Sequence, residues 1–335
     1  MRLFKLLDEE EVRKAKAQIH ALKDHYTLLP DNSGLDLLGA CSYIHKDIYR
    51  PKDEPYNPKA KLMDELAKGE WTELEMDKEK KTEGMVYEDS YDIVPLHMVI
   101  YEEEEKEGEI FLPENSNYTP ETQEDDNLES YYHKIKRVTN PILDKNFRWI
   151  YDKIINFIEK EYGEKAVIND EANLGYPGFH IYYPIEGCES IIDSPPHVDL
   201  QWSFHLNDLK SLFKNVSEET FMTFTLAIEI PSTGAGLYYW DCPEEIVNDY
   251  FACRDFYRHV IIKAKKFLEK STDRLGYEEL LQPQFLDYKE GEMTLFKGFP
   301  LHQTGLFNKG WTSNDRRITM QGHGIKCDGI WRIFF

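Results

Sequence analysis

Cysteine is scarce in this chain and follows no pattern. Five occur in 335 residues, at positions 41, 188, 242, 253 and 327. An odd count with no C-x-x-C argues against a disulfide framework and a zinc–thiolate site, and favours a reducing compartment. Basic residues are also few, 40 against 62 acidic, for a formal charge of -22. Such a field repels nucleic-acid phosphates and anionic membranes, so neither is expected as a partner. An anionic small molecule stays compatible, because a few buried arginines reverse the potential locally. No run of eighteen apolar residues occurs, and the N-terminal Met1–Leu7 stretch turns at once into Asp8-Glu9-Glu10-Glu11. Neither a membrane span nor a signal peptide is expected, and a cytoplasmic protein is. Gly234-Ala235-Gly236 is not a phosphate loop, since no lysine follows and no helix opens there. No internal repeat is visible.

Aromatic residues, in contrast, are abundant, with 21 Tyr, 18 Phe and 6 Trp, which suits a sizeable core. Val12, Ala15, Ile19, Leu22 and Tyr26 recur at helical steps behind a candidate N-cap at Asp8, with Pro30 as a stop. Residues 50–135 are charged and punctuated by proline, with acidic clusters at Glu102–Glu105 and Glu124–Asp126. Only 92–101 there reads as strand. Pro141 is expected to open a second helix, with Leu143, Phe147, Ile150, Ile154 and Phe157 on one stripe and Gly163 as its C-terminal glycine. Such a helix would buttress a sheet.

From about residue 165 short strands take over: 179–184, 221–230, 237–240, 293–296, 317–320 and 330–334, separated by glycine and proline turns. The expected class is α+β with a mainly β core, a sandwich or jelly roll. Two regions are expected: 1–140 as a helical, acidic, partly irregular extension packing on the core, and 141–335 as the core, interrupted by a helical insertion near 244–270.

Within that core, His197-Val198-Asp199 places two ligand types two residues apart. Strand alternation turns both to one side, so the pair suits one metal ion. His302 arrives from another strand, after Leu295–Leu301. Two imidazoles and one carboxylate make a facial triad that suits Fe(II) and leaves open positions. Fifteen residues on, Arg317 offers a guanidinium fork for a carboxylate, with Thr319 on the same face of the strand. Arg316 is the competitor on the opposite face. Gln201 and Trp202 follow the HxD pair, Tyr182 lies on the preceding strand, and Trp240 follows a glycine turn. These four are candidates to line the pocket, although aromatics more often pack in the core. His180, His205, His259 and His323 read as hydrogen-bonded core histidines.

Pro196-His197-Val198-Asp199, the stretch Glu290–Phe296 leading to His302, and Arg317-Ile318-Thr319 resemble the Fe(II)/2-oxoglutarate-dependent dioxygenase superfamily. The resemblance covers roughly residues 170–325. It implies a double-stranded β-helix with Fe(II) on His197, Asp199 and His302. It implies further that Arg317 and Thr319 hold 2-oxoglutarate, with O2 as the second co-substrate; Tyr182, by its place on the strand before the HxD pair, is the further candidate to reach the keto acid. The implied reaction releases succinate and CO2 while an unactivated C–H bond of a small molecule is hydroxylated, desaturated or cyclised. Asp199 stands where related halogenases carry a small residue, which argues for oxidation over halogenation. A side-chain hydroxylase of proteins and a non-catalytic jelly-roll binding protein are the other readings. Substrate and oligomeric state are not fixed by these residues.

Overall fold

The computed structural model describes residues 1–28, 34–45, 49–58, 127–168, 174–184, 199, 205–232, 234–240, 284–298, 300–304 and 312–335. The expected strand at 92–101, the insertion near 244–270 and the stop at Pro30 lie outside them. The described residues form mainly antiparallel sheet with a few helices.

The first helix, α1 (Glu9–Ala21), starts as the sequence indicates. The Asp8 side chain accepts from the Glu11 amide at 2.9 Å, and the Glu11 side chain returns to the Asp8 amide at 3.0 Å. This reciprocal capping box satisfies two otherwise orphaned donors. A one-turn helix, α2 (Ser42–His45), follows. The second long helix, α3, runs Tyr131–Tyr162, ten residues earlier than Pro141 indicated. Ser130, not Pro141, caps it, accepting from the His133 amide. Proline inside a helix loses one backbone bond, but tertiary packing of an amphipathic face outweighs that local cost here. Gly163 ends the helix at φ 67°, a left-handed cap that glycine adopts without strain. A short helix, α4 (Leu206–Leu212), completes the set.

The large sheet has nine strands. Its main path takes β1 (Leu3–Lys5), β11 (Glu292–Lys297), β8 (Val216–Glu229), β13 (Arg317–Cys327), β7 (Gly178–Tyr182), β3 (Leu35–Leu38) and β2 (Thr27–Leu28), in that order. β14 (Ile330–Phe334) pairs with the far half of β13 and carries β6 (Ala166–Ile168) in parallel. A small sheet is ordered β10 (Gln284–Asp287), β9 (Gly236–Trp240), β12 (Leu301–Thr304). β4 (Tyr49–Pro51) and β5 (Leu128–Ser130) form a separate ribbon. The first forty residues are thus not only helical: three of their strands extend the sheet.

Alternation gives the large sheet two different faces. Phe179, Ile181, Met222, Phe224, Leu226, Met293, Leu295, Ile318 and Met320 point one way, buried with Val12, Ala15 and Ile19 of α1 and Leu143, Phe147, Ile150, Ile154 and Ile158 of α3. Each fully buried side chain of this size contributes about 1.5–3 kcal/mol. This apolar layer is the expected buttress. The other face is polar and carries the site.

Candidate active site

On the polar face the register lines up residues of three neighbouring strands. Arg317 lies opposite Tyr182, Thr319 opposite both His180 and Ala227, and His323 opposite Thr223. Directly opposed antiparallel residues share a face. His180, Thr319, Arg317, Thr223 and His323 are all buried. A buried sheet face with this much hydrogen-bonding capacity is costly unless something polar uses it.

His302 comes from the small sheet, where β12 places it opposite Tyr239. Its Nδ1 lies 2.9 Å from the Pro300 carbonyl oxygen, so that nitrogen carries the proton and donates. Nε2 then presents a lone pair, 3.6 Å from Asp199 Oδ2. Both residues are buried, at 6% and 9% exposure. A carboxylate and an imidazole lone pair converging in this way are two electron-pair donors of the kinds that can share one cation. A ring nitrogen tied to a backbone carbonyl is the usual outer support of a metal-binding histidine. The Phe296 ring closes one side, 5.3 Å from the imidazole. His197, Gln201 and Trp202 lie outside the described residues, among which no group of three metal-binding side chains occurs. Trp240 sits opposite Leu301, so alternation turns it to the face of the small sheet away from His302.

Arg317 is the second centre. Only 1% exposed, its guanidinium lies between two rings, with Cζ 5.2 Å from the Tyr182 centroid and 5.9 Å from that of Tyr288. The Tyr182 hydroxyl meets the guanidinium. Nε and Nη1 make no hydrogen bond, and neither does the Thr319 hydroxyl. Among the described residues no carboxylate forms an ion pair with Arg317. A buried cation in that condition carries a desolvation cost of several kcal/mol, roughly, until an anion joins it. Arg316 is placed differently. It precedes β13, is partly exposed, donates from Nη1 to the Asn314 carbonyl at 2.9 Å and covers the Tyr183 ring.

The two centres lie within electrostatic reach of the same buried groups. The charges of Asp199 and Arg317 both act on His180 and on Tyr288, and that of Asp199 also reaches His323. Burial pushes the Tyr288 and Tyr182 phenols up, with Arg317 pulling both back, so both stay protonated donors. Burial pulls His180 down to about 3 and His323 to about 4. His323 Nδ1 is 3.1 Å from the Thr223 hydroxyl, so it is a hydrogen-bonded core histidine as expected, although it also faces the site. Tyr288 is the residue the sequence reading missed. It stands just after β10, a strand whose four residues show no clear alternation of burial.

His45, 0% exposed and also lowered to about 3 by burial, accepts at Nδ1 from the Cys41 amide. Neutral in the folded protein and near 6.5 when unfolded, such histidines let the unfolded chain bind more protons below about pH 6.5. Stability is therefore expected in full above that pH and to fall as pH drops toward 4. Urea unfolding at pH 7.5 and 5.0 checks this, and His45→Gln should flatten the pH dependence by about one proton's worth. An unchanged slope would show that His45 takes no part.

No protein-family model and no curated protein sequence matches the chain. Solved structures similar to it include an N-substituted L-amino acid dioxygenase from Burkholderia ambifaria AMMD, in complex with alpha-ketoglutarate and without it. Each has 18% identity and a TM-score of 0.34, covering 61% of this chain and 68% of that one. Another is the non-heme alpha-ketoglutarate-dependent epimerase SnoN from nogalamycin biosynthesis, at 11% identity and TM-score 0.29, covering 58% of this chain and 63% of that one. At these values the functional reading rests on the side chains.

Proposed function

We propose that the protein is an Fe(II)- and 2-oxoglutarate-dependent oxygenase that oxidises an unactivated C–H bond of a small molecule. The observation that carries this reading is the convergence of Asp199 and His302 within electrostatic reach of the same buried groups as Arg317, whose Nε and Nη1, like the Thr319 hydroxyl, make no hydrogen bond. The residues fit both groups: a carboxylate and a neutral imidazole suit Fe(II), and a guanidinium with unused in-plane N–H groups suits a carboxylate. Asp199 and His302 would hold the metal, with His197 as third ligand. Together the metal, keto acid and O2 supply the oxidising power, with succinate and CO2 released.

The chain's own residues bind and orient. Arg317, fixed between Tyr182 and Tyr288, would grip the distal carboxylate, and Thr319 would add a hydroxyl. The Pro300 carbonyl holds His302 in the tautomer that carries its proton on Nδ1. Burial of Asp199, His302 and Arg317, with the Phe296 ring beside the imidazole, limits access of water. The antiparallel orders β7-β13-β8-β11 and β12-β9-β10 are compatible with a double-stranded β-helix, with residues 141–335 as its core and 1–140 as an extension that lends strands to it. Cys41 and Cys327, both free and buried, suit a cytoplasmic protein. No described helix is long and apolar enough to cross a membrane.

Anaerobic titration of Fe(II)-loaded protein with 2-oxoglutarate, followed by visible absorption, tests the proposal. A weak charge-transfer band is expected in the wild type and none in His302→Ala. Bound Fe(II) without a band would remove the keto acid from the reading.

A further inference from the structure

β3 leads the chain to a second polar pair beside the polar face of the sheet. Leu37 lies opposite His180, so the two share that face. Gly39, at φ 125°, turns the chain there, and a Cβ on it would stand 3.1 Å from Gly178 Cα. The turn leads into α2, where Ser42 and His45 are three residues apart and so on one side of the helix. Both are buried, at 3% and 0% exposure. The Ser42 hydroxyl and His45 Nε2 are sealed from solvent and make no hydrogen bond. His45 Nδ1 accepts from the Cys41 amide at 3.0 Å, which puts the proton of the neutral ring on Nε2. His45 acts electrostatically on His180, as Asp199 and Arg317 do, so the pair lies within reach of the candidate site.

Two buried donors without acceptors cost free energy until an acceptor joins them. Their surroundings describe that acceptor. Leu37, Cys41, Tyr131 and Phe335 pack here in one apolar cluster. The Tyr131 ring stands edge-on to His45 with centroids 6.0 Å apart, and the Phe335 ring edge-on to His180 at 5.3 Å. Burial holds His45 neutral, its pKa lowered to about 3. An anion docked on two neutral donors would lose its hydration and gain no opposite charge from them. An uncharged carbonyl oxygen has two lone pairs, one for each donor, and loses far less. An aromatic or aliphatic body attached to it would meet like surfaces.

We infer that Ser42 and His45 bind the molecule to be oxidised, donating from the Ser42 hydroxyl and His45 Nε2 to one uncharged carbonyl oxygen of an otherwise apolar substrate. The inference rests on the proposed function above and deepens it by naming the class of substrate: a ketone, ester or amide with an apolar body, not a carboxylate or phosphate. It also gives the 1–140 extension a part in recognition, since both residues precede the 141–335 core.

Acetophenone, α-methylstyrene and benzoate share a ring and differ in the group beside it: a carbonyl, a methylene in place of its oxygen, and an ionised carboxylate. Their dissociation constants are measured by anaerobic equilibrium dialysis on the full chain, both metal-free and loaded with Fe(II) and 2-oxoglutarate, so that in the loaded protein the metal and Arg317 are already occupied. Acetophenone is expected to bind at least about tenfold tighter than either of the others. His45→Asn keeps an oxygen where Nδ1 accepts but has no donor at the Nε2 position, and should bring acetophenone and α-methylstyrene within about twofold of each other. His45→Gln, whose amide nitrogen can stand where Nε2 does, should restore most of the preference. Ser42→Ala leaves the Cys41–His45 bond intact and should cut the preference about threefold, which keeps the test alive if His45→Asn does not fold. The ratio is the readout, since a merely structural role would move both probes together. Equal binding of acetophenone and α-methylstyrene to the wild type, tighter binding of benzoate, or a ratio that neither Ser42→Ala nor His45→Asn moves overturns the inference. Discrimination by a chain that binds no Fe(II) and no keto acid overturns the oxygenase reading instead and leaves the pair as a carbonyl-binding site.

Discussion

Arg317→Met is expected to raise the dissociation constant of 2-oxoglutarate by about two to three orders of magnitude, the cost of a bidentate charge-assisted contact in a buried site. Arg316→Met should change it by no more than about twofold, as befits a partly exposed side chain. The difference follows from placement: Arg317 is 1% exposed with Nε and Nη1 unused, whereas Arg316 already donates to the Asn314 carbonyl. The same substitution has a second consequence. Without keto acid, Arg317→Met should be at least as stable as the wild type to urea, because an apolar side chain of similar length replaces an uncompensated buried cation. The gain should vanish when saturating 2-oxoglutarate stabilises only the wild type. Equal effects of the two arginines on binding, or a strongly destabilised metal-free Arg317→Met, would sink the keto-acid role of Arg317.

The ligand residues should give the other large effect. Asp199→Ala and His197→Ala are each expected to cut 2-oxoglutarate turnover by at least about 10³-fold, beyond the 10–100-fold typical of losing an outer supporting group. Thermal unfolding of the metal-free variants should stay close to that of the wild type. Asp199 belongs to no apolar cluster, and its removal takes away a buried charge facing His302 Nε2. Succinate formation and bound iron are the measurements. Full turnover in either variant would remove that residue from the metal site.

Much of the fold is legible because local signals and tertiary needs agree. Asp8 with Glu11 announces α1, Gly163 announces the end of α3, and the alternation of β7 and β13 separates Ile318 and Met320 from Arg317 and Thr319. The start of α3 was misread because proline at position 141 is a local signal, and the buried stripe of a 32-residue helix overrides it. For the proposed site, the motif order puts forward Asp199, His302 and Arg317, because the proposed chemistry constrains residue types and spacing. Tyr288 was illegible. Its place beside Arg317 depends on how the strands pair, and neither its neighbours nor their periodicity encode that. Trp240 was a candidate by proximity to a turn, yet one residue of alternation sets it on the far face.

The pairing of β1 with β11 has a consequence for how the chain is made. Leu3 meets Thr294, and Lys5 meets Glu292, across almost the whole sequence. At the 5–20 residues per second of synthesis, the first strand leaves the ribosome roughly 15–60 s before its partner exists. Through that interval Val12, Ala15 and Ile19 of α1 lack part of their cover, since Met293 and Leu295 of the layer they join come from that late strand. The nascent protein therefore carries an incompletely covered apolar helix until β11 is made. Loop closure on this scale also makes spontaneous refolding slow. Yield in a heterologous host should then depend on chaperone capacity and growth temperature more than on the stability of the finished fold.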